Sequence, residues 1–312
     1  MNDRHQAGRR TVLKAAAGIP LLGAGALSPG KAATASTAIA SVAPRNPLPV
    51  DLQGPALLEA FMKMKTRTDG GISVGWMDAV TSAFIEGEAF PLYRLFAATW
   101  YRFTRVSPER YEGAAVEVAT YHDVESGEEL QSLRMPVTDQ VVAVPRYRSG
   151  PSRLAVELEL AEERKFGMAQ ASGKEGGSFF REGMAKSRMH VARPERDGPL
   201  LVVRQTHQTR VIPGDPAMPG FFYSESTIYR GSWDAAVDPK VARVPAEVAY
   251  ASQASFRPWM KMGATPGHTV QSGLGGTVQE VGELPDRLLA LLQKYHPDLV
   301  EDPAKVFAQP AH

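Results

Sequence analysis

Apolar and polar residues alternate with a period of two along most of the chain. This period is typical of β-strands, because successive side chains of a strand point to opposite faces. Gly, Pro and Asp stand at nearly every junction between the alternating segments, as expected for turns. The segments cover residues 62–67, 72–85, 90–106, 112–124, 130–137, 152–166, 198–212, 220–233 and 246–259, and 255–276 is predicted to supply the last strand and rim.

Helical patterns are few by comparison. A short helix is predicted over 54–61, with Pro55 near its first turn, and a hairpin is predicted to join 62–67 to 72–85. A longer helix over 284–297 has a broad leucine face and is ended by Pro297. Many closely spaced strands without strand–helix–strand alternation predict a mainly β fold. We expect a single antiparallel β-barrel-like domain, lipocalin-like in outline, with a C-terminal helix packed on it.

The first 35 residues have the layout of a removable export signal. The pair Arg9 and Arg10 precedes an uncharged run over 15–27, and small residues follow at 32, 33 and 35. The arginine pair and the residues after it resemble a twin-arginine translocation signal, and the apolar run is too short to span a bilayer. We therefore expect a periplasmic or secreted protein that meets the twin-arginine translocase during export and has no stable membrane span. The predicted divisions are signal 1–35, linker 36–54, barrel domain 55–303 and tail 304–312.

Composition excludes several classes of function. The chain contains no cysteine, so disulfides, iron–sulfur clusters and thiolate-bound metals cannot form. Five basic residues and one acidic residue lie in the first 35 positions, and the formal net charge of the whole chain is +1. The remaining chain is thus slightly acidic, which argues against a nucleic-acid partner.

No standard cofactor or metal motif occurs. The glycines of 267–276 lack the lysine and the following helix that a phosphate-binding loop needs, and they do not form a dinucleotide fingerprint. The histidines after the signal are dispersed and give no metal-ligand spacing. We therefore expect no cofactor and no metal. The alternative is a metal held by histidines that neighbouring strands bring together, or a cofactor bound before twin-arginine export.

Two groups of residues are candidates for chemistry. Glu225 shares one strand face with Tyr223 and other aromatic residues, while His207 lies on a predicted strand nearby in sequence. A carboxyl group in apolar surroundings has a raised pKa, which suits proton transfer. The alternative is an outward face on which Glu225 is solvated and the tyrosines pair across strands.

The second group lies at the end of the predicted segment 246–259 and in the residues that follow it. Arg257 and Lys261 could bind a carboxylate or stabilise an enolate, and Trp259 could form an apolar wall with a polar N–H. His268 completes the set. The alternative is a stacked Arg–Trp corner that closes a sheet.

The same C-terminal run carries a family resemblance. The residues SFRPWMKMG-x-x-PGH, then SGLGG and ELPDRLLALLQKYHPD, together with MKMKTRTDGGISVGW, TYHDVESGEELQSLRMP and YSESTIYR, resemble the family DUF1838, a domain of unknown function. The matching pieces extend over residues 55–303. The resemblance implies a single exported, mostly β domain and names no activity.

Three functional hypotheses follow. The first is a cofactor-independent isomerase, hydratase or lyase acting on a small, largely apolar organic molecule. In it Glu225 carries the proton, His207 is its partner and Arg257 with Lys261 stabilises charge; Tyr223, Trp259 and His268 complete the binding site. The second is a non-catalytic carrier that uses the same cavity, and the third is a structural or interaction protein with a filled barrel.

Overall fold

The computed structural model describes residues 48–166, 183–216 and 220–308. The predicted signal 1–35 and most of the predicted linker lie outside these residues. These described residues belong to one compact unit. Its strands are β1 (Leu48–Pro49), β2 (Ile72–Ile85), β3 (Glu88–Ser107), β4 (Arg110–His122), β5 (Ser132–Arg134), β6 (Val141–Ala143), β7 (Tyr147–Val156), β8 (Glu159–Phe166), β9 (Gly183–Val191), β10 (Glu195–Asp197), β11 (Leu200–Pro213), β12 (Phe221–Ser232), β13 (Ala246–Ala254) and β14 (His268–Val278). The helices are α1 (Gly54–Lys65), α2 (Trp233–Val237), α3 (Asp286–Tyr295), α4 (Pro297–Glu301) and α5 (Pro303–Phe307).

Ten of the strands form a nearly closed antiparallel barrel, which confirms the predicted fold class. In ring order they are β2, β3, β4, β7, β8, β9, β11, β12, β13 and β14, which is also their order along the chain. The first and last strands of the ring, β2 and β14, pair over eleven residue positions from Val74↔Val278 to His268↔Phe84. The remaining seam lies between β7 and β8, for which no ladder is formed in the described residues. Pairing at the other joins of the ring covers strand edges that an open sheet would leave exposed.

Helix α1 and a hairpin cover the two ends of the barrel interior. The apolar side chains of α1 pack with inward residues such as Tyr111, Leu201 and Tyr229, which lie at one end of their strands. At the other end, Met135 and Val142 of the β5–β6 hairpin pack with inward residues of β2, β3 and β4. The interior between these two apolar layers is where polar side chains collect, as described below.

The predicted strand over 62–67 is wrong, because α1 continues through Lys65. Met62 and Met64 alternate with lysines, which suggests a period of two. However, Leu58, Phe61 and Met62 also fit a helical period, and all three are fully buried against the barrel end. The predicted hairpin is thus a helix followed by a strand.

The predicted continuous strand over 152–166 is also wrong, because it is interrupted at Glu157 and Leu158. Strand β7 pairs with β4, whereas β8 pairs with β9. Strand β9 is not predicted from the sequence. The alternation of apolar residues continues across the break, so the change of partner leaves no local signal.

The C-terminal helices cover the outer face of β2, β3 and β4. Leu288 and Leu292 of α3, Leu299 of α4 and Val306 of α5 pack against the fully buried Trp100 and its neighbours. The segment predicted as a tail therefore begins with a packed helix. Every helix of the described residues is too short or too polar to span a membrane.

Replacing Gly275 by Ala should weaken the ring where β14 meets β2. A Cβ at this position would lie 2.0 Å from the carbonyl oxygen of Trp76, a backbone atom that cannot move aside cheaply. We expect a loss of about 1–3 kcal/mol of unfolding free energy, the usual cost of overpacking, measured by chemical denaturation. Gly282→Ala is the matched control, because nothing lies within 4 Å of its Cβ. Equal stability of both variants would contradict the tight join.

Candidate functional site

The interior face of each strand can be assigned from its alternation. Tyr229 of β12 contacts Phe61 of α1, with ring centroids 5.4 Å apart, so its face is the inner one. The period of two then directs Tyr223 and Glu225 inwards as well. The neighbouring outward residue Phe222 is 39% exposed, in agreement with this assignment.

Glu225 lies at the centre of a hydrogen-bonded interior network. His207 stands directly opposite on β11, with its Nδ1 3.5 Å from Oε1 of Glu225. The hydroxyl of Tyr223 donates to Oε2 of Glu225 and is itself bonded to the hydroxyl of Tyr250. On the other side, His207 Nε2 lies 3.2 Å from the hydroxyl of Thr209. The interior network therefore comprises Thr209, His207, Glu225, Tyr223 and Tyr250.

This network reverses the expected direction of the Glu225 pKa. Burial by itself would raise the pKa, as the sequence predicts. The hydrogen bonds from His207 and Tyr223, with the charges of His207 and Lys65, outweigh burial and place the pKa below its ordinary value. Glu225 is therefore an ionised carboxylate at neutral pH, and the expectation of a raised pKa is wrong.

Lys65 brings a positive charge to the same part of the interior, and sequence reasoning missed it. Its ammonium group lies 3.3 Å from both Gln205 Oε1 and the Tyr229 hydroxyl. It also lies 5.5 to 5.9 Å from the ring centroids of Phe61, Tyr101 and Tyr229. Such rings stabilise a cation. The sequence predicts a strand with a solvated lysine face over 62–67, and this prediction gives no reason to place Lys65 in the barrel interior.

Glu117 is a second interior carboxyl group that sequence reasoning missed. It lies on the face of β4 that carries the buried residues Tyr111 and Tyr121. Burial raises its pKa, the Arg257 guanidinium lowers it in part, and the charge of Glu225 raises it further. The signal that pointed to Glu225, a carboxylate among aromatic and small residues on one strand face, is also present on β4. The two interior carboxyl groups thus have pKa values displaced in opposite directions.

Arg257 and Trp259 lie at the end of the interior that faces the β5–β6 hairpin. The guanidinium is 6.0 Å from the Tyr147 ring centroid and interacts with Tyr93 and Tyr121. The indole of Trp259 packs against Tyr121, with ring centroids 5.8 Å apart. The Arg257 charge also reaches Glu117, which connects this end electrostatically to the interior network.

Lys261 and His268 lie apart from the interior network. Lys261 is exposed and occupies a left-handed backbone position at φ 51°. His268 stacks on Phe84, with ring centroids 5.7 Å apart, on the outward face of β14. The structure thus brings Glu225, His207 and Tyr223 into one interior network, places Arg257 and Trp259 at one end of the same interior, and leaves Lys261 and His268 outside.

The interior network is partly accessible. The side chains of His207 and Glu225 keep 32% and 17% of their exposure although both point inwards. The surroundings of these groups are more polar than the apolar cavity that the sequence predicts.

A separate groove of about 400 Å³ lies on the outer face of β8, β9 and β11. It contains the exposed pair His190 and Glu159, whose side chains are in contact. No group in it is joined to the interior network in the described residues. The polar side chains that line this groove, such as His190 and Glu159, are exposed to solvent.

No metal site is formed within residues 48–166, 183–216 and 220–308. No three histidine, aspartate or glutamate side chains come together there as metal ligands. The interior network consists of acid–base groups and hydroxyls.

Comparison with known proteins supports the predicted resemblance over part of the chain. Residues 222–311 match the family described as Protein of unknown function (DUF1838). The chain is therefore similar to this family over its C-terminal part. The DUF1838 match contains Tyr223, Glu225, Arg257 and Trp259, whereas the predicted resemblance to residues before 222 is not matched.

The other comparisons add no functional information. No curated protein matches the chain. Among solved structures, Salmonella typhi OmpF in complex with daunomycin is similar at 9% sequence identity, over 67% of this chain and 98% of that chain, with a TM-score of 0.21. A TM-score this low supports no argument about fold or function.

Replacing Tyr223 by Phe should raise the pKa of Glu225. The variant removes a hydrogen bond that favours the ionised carboxylate and keeps the ring. Titration of the side-chain carboxyl by carbon-13 NMR should show the change. Tyr295→Phe, which removes a hydrogen bond to the distant Glu129, is the control and should leave Glu225 unchanged. An unchanged Glu225 pKa in Tyr223→Phe would show that the hydroxyl does not stabilise the carboxylate.

Proposed function

We propose that the barrel catalyses proton transfer on a small organic molecule bound in its interior, as an isomerase, hydratase or lyase that needs no cofactor. The observation that carries this proposal is the position of Glu225 at the centre of the interior network, where His207 and Tyr223 contact its two carboxyl oxygens. An ionised carboxylate can accept a proton from a bound molecule, and the contacts with His207 and Tyr223 fix its position. In this role Glu225 is the base and His207 holds it in position.

The direction of the hydrogen bonds favours this role. The one proton of the Tyr223 hydroxyl is donated to Glu225, so Tyr250 must donate its own proton to the Tyr223 oxygen. The oxygen of Tyr250 then keeps a lone pair for a donor group of the bound molecule. A proton from that group can reach Glu225 through the two tyrosines.

Glu117 supplies the complementary acid. Its raised pKa favours the protonated form, while the lowered pKa of Glu225 favours the ionised form. Two carboxyl groups whose environments displace their pKa values in opposite directions form a natural acid–base pair. One group removes a proton and the other returns one, which is the requirement of an isomerisation, a hydration or an elimination.

The proposal includes export to the periplasm or the medium. The twin-arginine pattern at Arg9 and Arg10 and the absence of cysteine support it. The twin-arginine translocase would then be a transient partner.

Hydrogen–deuterium exchange tests the catalytic proposal and does not require the natural substrate to be identified. The purified protein is incubated in deuterium oxide with a panel of small keto, hydroxy and unsaturated acids and their neutral analogues. Proton NMR then detects exchange at carbon positions next to the carbonyl or hydroxyl group. Catalysed exchange that Glu225→Gln removes would support the proposal, and exchange that persists in this variant would contradict it.

A carrier is the second candidate function. The coverage of both barrel ends by α1 and the β5–β6 hairpin favours retention of a bound molecule. A molecule that copurifies with the protein and is released chemically unchanged, without catalysed exchange on the panel, would favour the carrier over the enzyme.

A further inference from the structure

Arg257 is an interior cation without a paired anion. It follows β13 and is held among three tyrosines, with its guanidinium 6.0 Å from the ring centroid of Tyr147. In the part of the chain that the structure describes, no carboxylate lies within the 4.0 Å that defines an ion pair with it. The carboxyl group that acts on it, Glu117, does so only by charge at longer range. Buried charges are ordinarily paired, so an unpaired guanidinium indicates a place for an anion.

Trp259 provides an independent second observation at the same end. Its indole Nε1 is shielded from solvent and donates to no acceptor within the described residues. The indole ring packs against Tyr93 and Tyr121, the two tyrosines that also act on Arg257. A cation without an anion and a donor without an acceptor therefore lie beside the same pair of rings. A buried N–H without a partner costs free energy that a bound acceptor would recover.

The surrounding hydroxyl groups do not neutralise Arg257. Burial raises the pKa of Tyr147 to about 12, and it raises those of Tyr93 and Tyr121 in the same direction. All three tyrosines are therefore uncharged at neutral pH. Their rings form apolar walls on which a flat organic group can lie.

The shape of the guanidinium selects the anion. Its planar arrangement of N–H groups matches the two oxygens of a carboxylate, and paired hydrogen bonds of this kind are among the strongest in proteins. The charge of Glu117 acts on Arg257 and is itself affected by the charge of Glu225, so Glu117 is electrostatically coupled to both groups. A ligand held at Arg257 would therefore lie within electrostatic reach of Glu117, the acid of the proposed mechanism.

We propose that Arg257 binds the carboxylate of a small aromatic or unsaturated carboxylic acid, with the Trp259 N–H as an additional donor. The inference rests on the proposed function, because the same interior is the reaction site. It narrows the substrate from a small organic molecule to an organic acid.

Calorimetric titration with matched probes tests the inference. Cinnamate and its neutral amide have nearly the same shape and differ in charge. The wild-type protein should bind cinnamate about 10- to 100-fold more tightly than the amide, as expected for hydrogen bonds to a charged group. Equal affinity for both probes, or no binding of cinnamate, benzoate or hexanoate at millimolar concentration, would overturn the inference without any variant.

Variants then locate the preference. Arg257→Gln should bind acid and amide equally weakly, and Arg257→Lys should keep part of the preference. Trp259→Phe should weaken cinnamate binding by a smaller factor. Arg230→Gln is the control, because Arg230 pairs with Asp197 and Glu247 on the barrel exterior. A folded Arg257→Gln protein with the wild-type preference would place the anion elsewhere.

The two proposals can fail separately. Glu225→Gln should retain the preference for cinnamate, since Glu225 is not the anchor. Binding with preference but without catalysed exchange would overturn the enzymatic function and leave the acid-binding site intact. Catalysed exchange on neutral analogues alone would keep the enzyme and overturn the acid-binding site.

Discussion

Replacing Glu225 by Gln is expected to lower the rate of catalysed proton exchange about 100- to 10,000-fold, the usual contribution of a general base. Glutamine keeps the size of the side chain and can still accept a hydrogen bond from Tyr223, but it cannot take up a proton. Glu225 contacts His207 and Tyr223 inside the barrel. The substitution removes its ability to take up a proton and leaves the packing around it nearly unchanged. NMR-detected exchange in deuterium oxide measures the effect.

The matched control for this variant is Glu247→Gln on the adjacent strand β13. The Glu247 side chain is 78% exposed and pairs with Arg230 on the exterior. The Glu247→Gln variant should catalyse proton exchange at the wild-type rate. Comparable loss in both variants would indicate a general effect of removing negative charge and would contradict the role of Glu225.

The pH dependence has a defined sign. Glu225 must be ionised to accept a proton, so activity should fall as the pH drops through its pKa, which lies below the ordinary 4.5. Glu117 must be protonated to donate, so activity should fall again as the pH rises through its raised pKa. The lowered pKa of Glu225 also stabilises the folded protein above the ordinary pKa of a glutamate. That contribution is lost as the pH falls through the folded-state value.

Replacing Phe61 by Ala should produce the largest loss of stability among these variants, about 3–5 kcal/mol of unfolding free energy. Phe61 is fully buried in α1, and its ring meets Tyr229 edge to face at 5.4 Å. The truncation leaves a cavity between the helix and the barrel end. It also removes one of the three rings around Lys65.

Chemical denaturation measures this loss against two further variants. Phe222→Ala removes the same side chain from an exterior position that is 39% exposed, and it should cost far less. Leu58→Ala creates a cavity in α1 without removing a ring from the surroundings of Lys65. Equal losses for Phe61→Ala and Phe222→Ala would show that α1 does not close the barrel end.

Local patterns in the sequence are sufficient to predict the class of fold. Alternation indicates the two faces of a strand wherever one face is buried, and β11 and β12 are predicted with nearly correct bounds for this reason. The start of β13 is also predicted correctly, but the strand ends at Ala254 and not at residue 259. The end of α1 cannot be predicted in the same way. Met62 and Met64 satisfy both periods, and only the burial of the helix against the barrel decides between them.

The candidate site is predicted in part for a similar reason. Glu225 and Tyr223 share a strand face, which the sequence shows directly, but the position of His207 opposite Glu225 depends on the register of β11 and β12. Lys261 is grouped with Arg257 by nearness in sequence. Lys261 itself has a left-handed backbone conformation in the connection between β13 and β14, and its side chain is exposed. Glu117 has the same local sequence signal as Glu225. Only the structure shows that both carboxyl groups face the same interior and that Glu225 affects the pKa of Glu117.

The pairing of β2 with β14 also has a consequence for the order of folding. The other ladders of the ring join strands that lie close together in the chain, whereas this one joins residues roughly 200 positions apart. Closing so long a loop lowers the conformational entropy of the chain, and this loss precedes the stabilising contacts between β2 and β14. The hairpins can therefore form early and locally, while closure must wait until β14 is available. A growing chain that lacks the last strand would leave the edge of β2 without its β14 partner, and such an edge can pair with another chain.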